Sequence, residues 1–221
     1  MSAPLEVLHA CNHVLCVNKP AGLPIVPDSS GDESLLDIAR AWVKEEYGKP
    51  GEVFLGVVHR LDRPVSGVVC FARTSKGAAR MGESFRNRAA RKIYLAITAK
   101  PRPDSLPASG TVEHWLLKDS ARNVVRVVPE GTPGAKLARS EYRFTDGRTR
   151  VELSPVTGRS HQLRVAMASL GLPLAGDLKY GAERPLRDKS IALHARRLIL
   201  PHPTRDEPVD VTAPLPSGGP W

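Results

Sequence analysis

Arg91-Lys92-Ile93-Tyr94-Leu95-Ala96-Ile97-Thr98-Ala99 is the stretch whose reading decides the architecture. Ile93, Leu95 and Ile97 share one face and Lys92, Tyr94 and Ala96 the other, the period of two that belongs to a strand. Tyr94 thus points away from the apolar row. Further β-like runs follow at Thr111 to Leu117, Asn123 to Val128, Arg139 to Phe144 and Arg150 to Ser154, with no helical pattern between them. Parallel strands would need a crossover helix at each step, so this succession predicts an α+β fold, with a mixed, largely antiparallel central sheet and flanking helices.

Upstream, Val7 to Ala10 and Val14 to Asn18 read as a hairpin closed by Cys11-Asn12-His13. Leu35, Ile38, Ala39 and Trp42 recur at helical spacing between Ser34 and Gly48; Ser34 with Asp37 resembles a capping box, and Gly48 sits where a C-cap belongs. Phe54 to Val58 and Gly67 to Arg73 read as buried strands around a polar loop, and Ser75 to Arg88 as a helix. Downstream, a helix from Ser160 to Leu170 precedes strands at Ile191 to Leu200 and Val209 to Thr212. No repeat is visible. The Pro-rich loops Pro101 to Pro107 and Pro129 to Gly134 are too short to separate independent cores, so residues 1–221 read as a single domain.

The chain carries 32 Lys plus Arg against 23 Asp plus Glu, a net charge of +9, and its pI is near 9.8. Such a balance favours a polyanionic partner such as nucleic acid. Arginines outnumber lysines 22 to 10, which suits bidentate phosphate contacts, although codon usage produces the same bias. Hydrophobic residues at 41% and charged residues at 25% exclude a disordered chain. No basic-then-apolar leader opens it and no apolar run approaches the ~20 residues that span a bilayer, so no membrane association is expected. Cys11, Cys16 and Cys70 lie in or beside apolar runs rather than in a paired framework; a reducing compartment fits, and the protein reads as cytoplasmic.

Chemistry concentrates in His59-Arg60-Leu61-Asp62-Arg63-Pro64-Val65-Ser66-Gly67, a polar loop between two apolar strands. Arg60 and Arg63 flank Asp62 and favour its ionised form, which suits a nucleophile or base; a salt-bridged loop without catalytic role reads the same way from spacing alone. A second cluster, Thr157-Gly158-Arg159-Ser160-His161-Gln162-Leu163-Arg164, feeds a turn into a helix, a place where anions bind. A third is the basic run Arg86, Arg88, Arg91 and Lys92 before the Tyr94 strand. His9, Cys11 and His13 lack a fourth ligand at fitting spacing, so no metal site is expected.

Taken together, these segments resemble the RluA-type family of RNA pseudouridine synthases. Val14-Leu15-Cys16-Val17-Asn18-Lys19-Pro20-Ala21-Gly22-Leu23-Pro24 is similar to the family's opening segment, His59-Arg60-Leu61-Asp62 with Ser66-Gly67 to its catalytic motif, Lys92-Ile93-Tyr94-Leu95-Ala96 to its tyrosine strand and Thr157 to Val165 to its arginine motif. Gly171-Leu172-Pro173-Leu174-Ala175-Gly176-Asp177, Tyr180-Gly181, Leu193-His194-Ala195 and His202-Pro203 complete the order. Val65 departs from the threonine of many relatives. Only about a dozen residues precede the opening segment, so a separate N-terminal S4-type RNA-binding domain is expected to be absent.

The resemblance implies isomerisation of specific uridines in ribosomal or transfer RNA: the C1′–N1 bond breaks, the uracil turns, and C5 rejoins C1′, with no cofactor. It makes Asp62 the essential carboxylate, acting at C1′ or on the 2′ proton, and places Tyr94 against the base. Arg164 would pair with Asp62. A uridine in a stem must be flipped out, and Arg60 would occupy the vacated space. Arg88, Arg91 and Lys92 would track phosphates, with His59, Arg63, Arg159 and His161 also on the RNA. The protein reads as a monomer with RNA as its partner. A non-catalytic RNA-binding protein on the same scaffold fits the charge equally well, but has no need of an acid, a tyrosine and an arginine in three separate motifs. A base-releasing hydrolase would need a second carboxylate, and no pair is positioned for one.

Overall fold

The computed structural model describes residues 5–221. The chain forms two compact units, one from Met1–Arg91 with Ala195–Leu215 and the other from Lys92–His194 with Pro216–Trp221.

In the first unit, β1 (Val7–Ala10) and β2 (Val14–Lys19) form the expected hairpin, α1 (Leu35–Glu46) follows, then β3 (Gly56–Val57), β4 (Ser66–Ala72) and α2 (Ser75–Arg86). Strands β5 (Arg91–Ile97) to β9 and helix α3 belong to the second unit, after which β10 (Leu193–Leu200) and β11 (Val209–Thr212) return the chain to the first. There the order is β1-β2-β4-β10, with β11 on β10 and β3 on β4. Both faces of β2 and β4 are covered, which is why they read as continuous apolar runs. Leu15, Val17, Val69 and Phe71 pack with Leu35, Ala39 and Val43 of α1, while Val14, Cys16, Val68 and Cys70 pack with Met81 of α2 and Leu198, Leu200, Val209 and Val211.

Local signals hold at α1: the Ser34 hydroxyl accepts from Asp37 N at 3.3 Å and donates to the Asp37 carboxylate at 2.7 Å. Helix α2 stops two residues before the expected Arg88, because Arg88 adopts φ +62° and Ala89 N closes back onto Ser84 O at 2.9 Å. A side chain in that left-handed conformation costs about 1 kcal/mol, which glycine avoids. Arg88→Gly is therefore expected to raise the free energy of unfolding in urea by about 1 kcal/mol. Phe54 to Val58 is not a buried strand: only Gly56–Val57 pair with β4, and Phe54 is 51% exposed.

The cysteines also differ from the sequence reading. Cys16 and Cys70 are direct partners in the β2–β4 register, with Cα atoms 4.2 Å apart, and are joined as a disulfide; Cys11 is free. Nothing in their spacing of 54 reveals the register that brings them together.

The second unit is an antiparallel succession β5-β9-β8-β6-β7, comprising β6 (Ser109–Asp119), β7 (Val124–Val128), β8 (Lys136–Asp146) and β9 (Arg150–Pro155) besides β5. Helix α3 (Gln162–Ser169) packs Val165 against Leu116, Val125 and Ala138. It begins later than the expected Ser160, since His161 lies at φ +52° and cannot be helical. On β5 the alternation holds, and Tyr94, itself half-buried, shares its face with the buried Ala96. Tyr94 stands opposite Leu153, and Ala96 opposite Val151, and these three neighbours are 0–1% exposed. The Ile93, Leu95 and Ile97 row is only half-buried. Across the described residues the architecture is the expected largely antiparallel α+β type, and none of their helices is long and apolar enough to cross a membrane.

Candidate active site

The loop between β3 and β4 is held by main-chain and side-chain contacts at nearly every position. The His59 ring stacks on Phe85, centroids 4.7 Å apart, and its Nε2 accepts from Cys70 N at 2.8 Å, which anchors the loop's start to β4. Val65 N donates to Asp62 O at 3.0 Å, closing a tight turn over Arg63-Pro64, and the Val65 side chain is buried. Arg63 donates to Gly22 O at 2.8 Å and Ser30 Oγ at 3.1 Å and pairs with Asp32 and Asp28, so it locks the loop onto the segment after β2. Those contacts hold the Asp28 and Asp32 carboxyls below the usual range, the Ser30 hydrogen bonds leading at Asp28 and the Arg63 hydrogen bond at Asp32. Asp62 itself is half-buried, and Arg60 is exposed with no hydrogen-bond or ion-pair partner among the described residues.

Under this loop lies Lys19, one of the largest fully buried side chains of the described residues. Its Nζ donates to Pro20 O, Leu23 O and Arg63 O at 2.9, 2.8 and 3.0 Å, tying the opening segment to the loop before β4. Burial lowers its pKa from 10.5 to about 7, against the pull of the Asp62 carboxylate. Between those values the unfolded chain binds a proton that the folded one does not, so stability rises with pH; below about 7 the full cost of the buried charge is present. Relative to Lys19→Met, the parent should gain about 2 kcal/mol of urea stability between roughly pH 7.5 and 9.5, and a parent that loses ground over that window refutes the assignment.

In the second unit, the turn before α3 is organised by Gln162, a residue the sequence reading did not single out. Its Oε1 accepts from Thr157 Oγ1 at 2.6 Å and Arg159 N at 2.9 Å, and its Nε2 donates to Arg139 O and Ser140 Oγ, both at 2.9 Å. All four hydrogen-bonding positions of the buried amide are filled. The arrangement fixes the backbone of Arg159, whose exposed side chain donates to Leu137 O at 3.1 Å. Lys92 reaches the same turn: its Nζ lies 3.6 Å from where a Cβ on Gly158 would stand, and burial lowers its pKa. Arg88 and Arg91 are exposed.

Arg164, 5% exposed, has a carboxylate partner that the sequence did not suggest. Its Nε and Nη2 donate to the two oxygens of Asp177 at 2.8 and 2.7 Å, and Asp177 is 1% exposed. Its Cζ also lies 5.0 Å from the centre of the Tyr180 ring, whose hydroxyl meets His161 Nδ1 at 2.7 Å and accepts from Val125 N at 2.9 Å. Asp62 thus belongs to the first unit, and Tyr94 and Arg164 to the second. Cys11 gains a neighbour 191 residues away, His202, whose Nε2 is 3.4 Å from its sulfur; His202 Nδ1 accepts from Thr204 N, so the Nε2 proton is directed at the thiol. Among the described residues no group of three or more His, Cys, Asp or Glu is arranged to hold a metal ion.

Residues 13–169 match the family model described as RNA pseudouridylate synthase. This chain belongs to that family. By family it is a pseudouridine synthase, an isomerase. It is 32% identical over 213 residues to the Dual-specificity RNA pseudouridine synthase RluA of Pasteurella multocida, covering 95% of this chain and 93% of that protein. Identity to the Ribosomal large subunit pseudouridine synthase C of Vibrio parahaemolyticus is 30% over 217 residues, 96% of this chain but only 66% of that protein's length. Among solved structures, the human RNA Pseudouridylate Synthase Domain Containing 4 is similar with a TM-score of 0.77 at 27% identity, covering 96% of this chain and 89% of that one. The human Domain Containing 1 protein is similar at 0.72 and 29%, covering 95% and 83%. The pseudouridine synthase resemblance read from the motifs and the α+β architecture both stand.

Proposed function

We propose that this protein isomerises specific uridines to pseudouridine in structured RNA, with ribosomal or transfer RNA as substrate. The observation that carries the reading is the loop His59 to Ser66: Lys19, His59, Arg63 and Val65 are engaged in fixing it, while Asp62 sits half-buried and Arg60 stays exposed. A carboxylate presented from so constrained a backbone suits a group that must meet one atom of a sugar. In this reading Asp62 is the essential carboxylate, attacking C1′ or taking the 2′ proton. Tyr94 lies against the base and handles the proton at C5, and Arg164 orients the charge. Arg60 fills the space that the flipped uridine leaves, and Arg88, Arg91, Lys92 and Arg159 hold phosphates.

The relatives' names, which specify the large ribosomal subunit or a dual specificity, support the choice of substrates. We further infer a monomer that works in the cytoplasm; the Cys16–Cys70 pair, with both residues 0% exposed, is shielded from the reductants there. Unmodified transcripts of ribosomal and transfer RNA, incubated with the protein and mapped for pseudouridine, test the proposal. New pseudouridine at one or a few defined uridines is expected, and none on any of these transcripts refutes it.

A further inference from the structure

We propose that Asp177 is the positioning residue for Arg164, fixing its guanidinium relative to the strand that carries Tyr94. The proposal rests on the reading of Arg164 as a residue of the reacting site.

Two parallel hydrogen bonds from Nε and Nη2 leave the planar guanidinium no freedom to turn about its Cζ–Nε axis, so the remaining nitrogen is held in place with them. The backbone that carries the carboxylate is held as firmly. Asp177 O accepts from Tyr180 N at 3.1 Å and Ala182 N at 3.0 Å, and Asp177 N donates to Leu174 O at 3.0 Å. Just before it, Gly176 adopts φ +83°, where a Cβ would stand 2.6 Å from Ser190 O, so the backbone passes too close to that segment for any side chain.

This platform is bonded to β5. Ala175 N donates to Ile97 O and Ala192 N to Ala175 O, both at 2.8 Å, and Leu174 bridges Thr98. Ile97 follows Tyr94 by three positions on the same strand. The ion pair therefore connects α3 to the Tyr94 strand through a short run of fixed backbone. Tyr180, three residues after Asp177, adds its ring beside the guanidinium and its hydroxyl to His161, one turn before Arg164.

Stability alone does not account for the pair. Two buried charges repay their desolvation poorly, and an apolar pair of similar volume commonly serves a core as well or better. What the charged pair supplies, and an apolar one does not, is a single orientation for a cation.

The test uses the full chain, an RNA that it modifies, and four variants: Asp177→Asn, Asp177→Glu, Arg164→Lys and the double variant Arg164→Lys with Asp177→Asn. Asp177→Glu keeps the charge and moves it by one methylene. The proposal expects kcat to fall by about 100-fold in both Asp177 variants, the scale of a misplaced group, with KM for RNA changed only a few fold. It also expects Asp177→Asn to add nothing to the loss already caused by Arg164→Lys. Parental kcat in both folded Asp177 variants, or losses that multiply in the double variant, overturn it. Absence of the native circular-dichroism spectrum in both Asp177 variants assigns the residue to the fold alone and overturns it too. Parental kcat in Arg164→Lys, with Asp177→Asn impaired, instead refutes the role given to Arg164.

Discussion

Asp62→Asn leaves no measurable pseudouridine on an RNA that the parent protein modifies, a loss of more than about 10³-fold, while RNA affinity changes only a few fold. Losses of this size follow removal of a reacting group. The variant keeps the main-chain contacts that hold the loop. Val65 N bonds to the main-chain oxygen of Asp62, and Lys19 bonds to main-chain oxygens of Pro20, Leu23 and Arg63. Asparagine preserves all of these. One secondary effect is expected: without the Asp62 charge, burial acts on Lys19 unopposed by it, and the Lys19 pKa falls further. Measurable turnover in single-turnover assays on the same RNA would sink the assignment, and a large loss of affinity would show that Asp62 serves binding instead.

Gly67→Ala is expected to abolish the folded state. Gly67 lies at φ +114°, and a Cβ there would stand 2.3 Å from Ala195 O, 2.6 Å from Ala195 N and 2.7 Å from Ala195 C. These are backbone atoms of β10, which cannot swing aside as a flexible side chain can. Strain of φ and overlap with backbone act together, so the cost exceeds about 4 kcal/mol, a large share of the 5–15 kcal/mol that holds a typical domain. Gly171→Ala is the control: φ is +73° but nothing lies within 4 Å of the added methyl, so only about 1 kcal/mol is lost. Urea unfolding of the two variants separates the contributions, and a Gly67→Ala protein as stable as Gly171→Ala would show that β4 and β10 can part locally.

Local rules carried the sequence reading a long way. The cap at Ser34, the runs that became β6 to β9 and the strand Val209–Thr212 all follow from spacing and residue type within a short window. The failures share one cause, which is that tertiary contacts decide what periodicity leaves undetermined. Alternation on β5 separates two faces but does not say what each one meets; Leu153 and Val151, more than fifty residues later, are the buried residues that stand opposite Tyr94 and Ala96. Phe54 to Val58 has the composition of a strand, but most of it finds no partner. The Cys16–Cys70 pairing depends on a register set by the whole of β2 and β4.

The candidate site divides in the same manner. Asp62, Tyr94 and Arg164 stand out in the sequence because each sits in a recognisable motif. Their supports were not, since a buried lysine with three carbonyl acceptors, a glutamine with four partners and an aspartate across from an arginine look in sequence like ordinary polar residues. Lys19 and Asp177 lie inside family-like motifs that assign them no role. Only burial reveals them, because a charge that is 0–1% exposed has to be paired or hydrogen-bonded.

The first unit draws its strands from both sides of the second in chain order: β4 ends at Ala72, and its neighbour β10 begins only at Leu193. A ribosome adding roughly 5–20 residues per second therefore leaves β4 without that neighbour for several seconds after it has emerged. During that interval the loop before β4 already exists as a sequence but has an open strand edge beside it, the kind of surface that recruits other chains. Aggregation in slow or crowded synthesis should accordingly begin at β4, and a nascent chain halted before Ala195 should expose it to proteases and chaperones that a chain completed through Leu215 excludes.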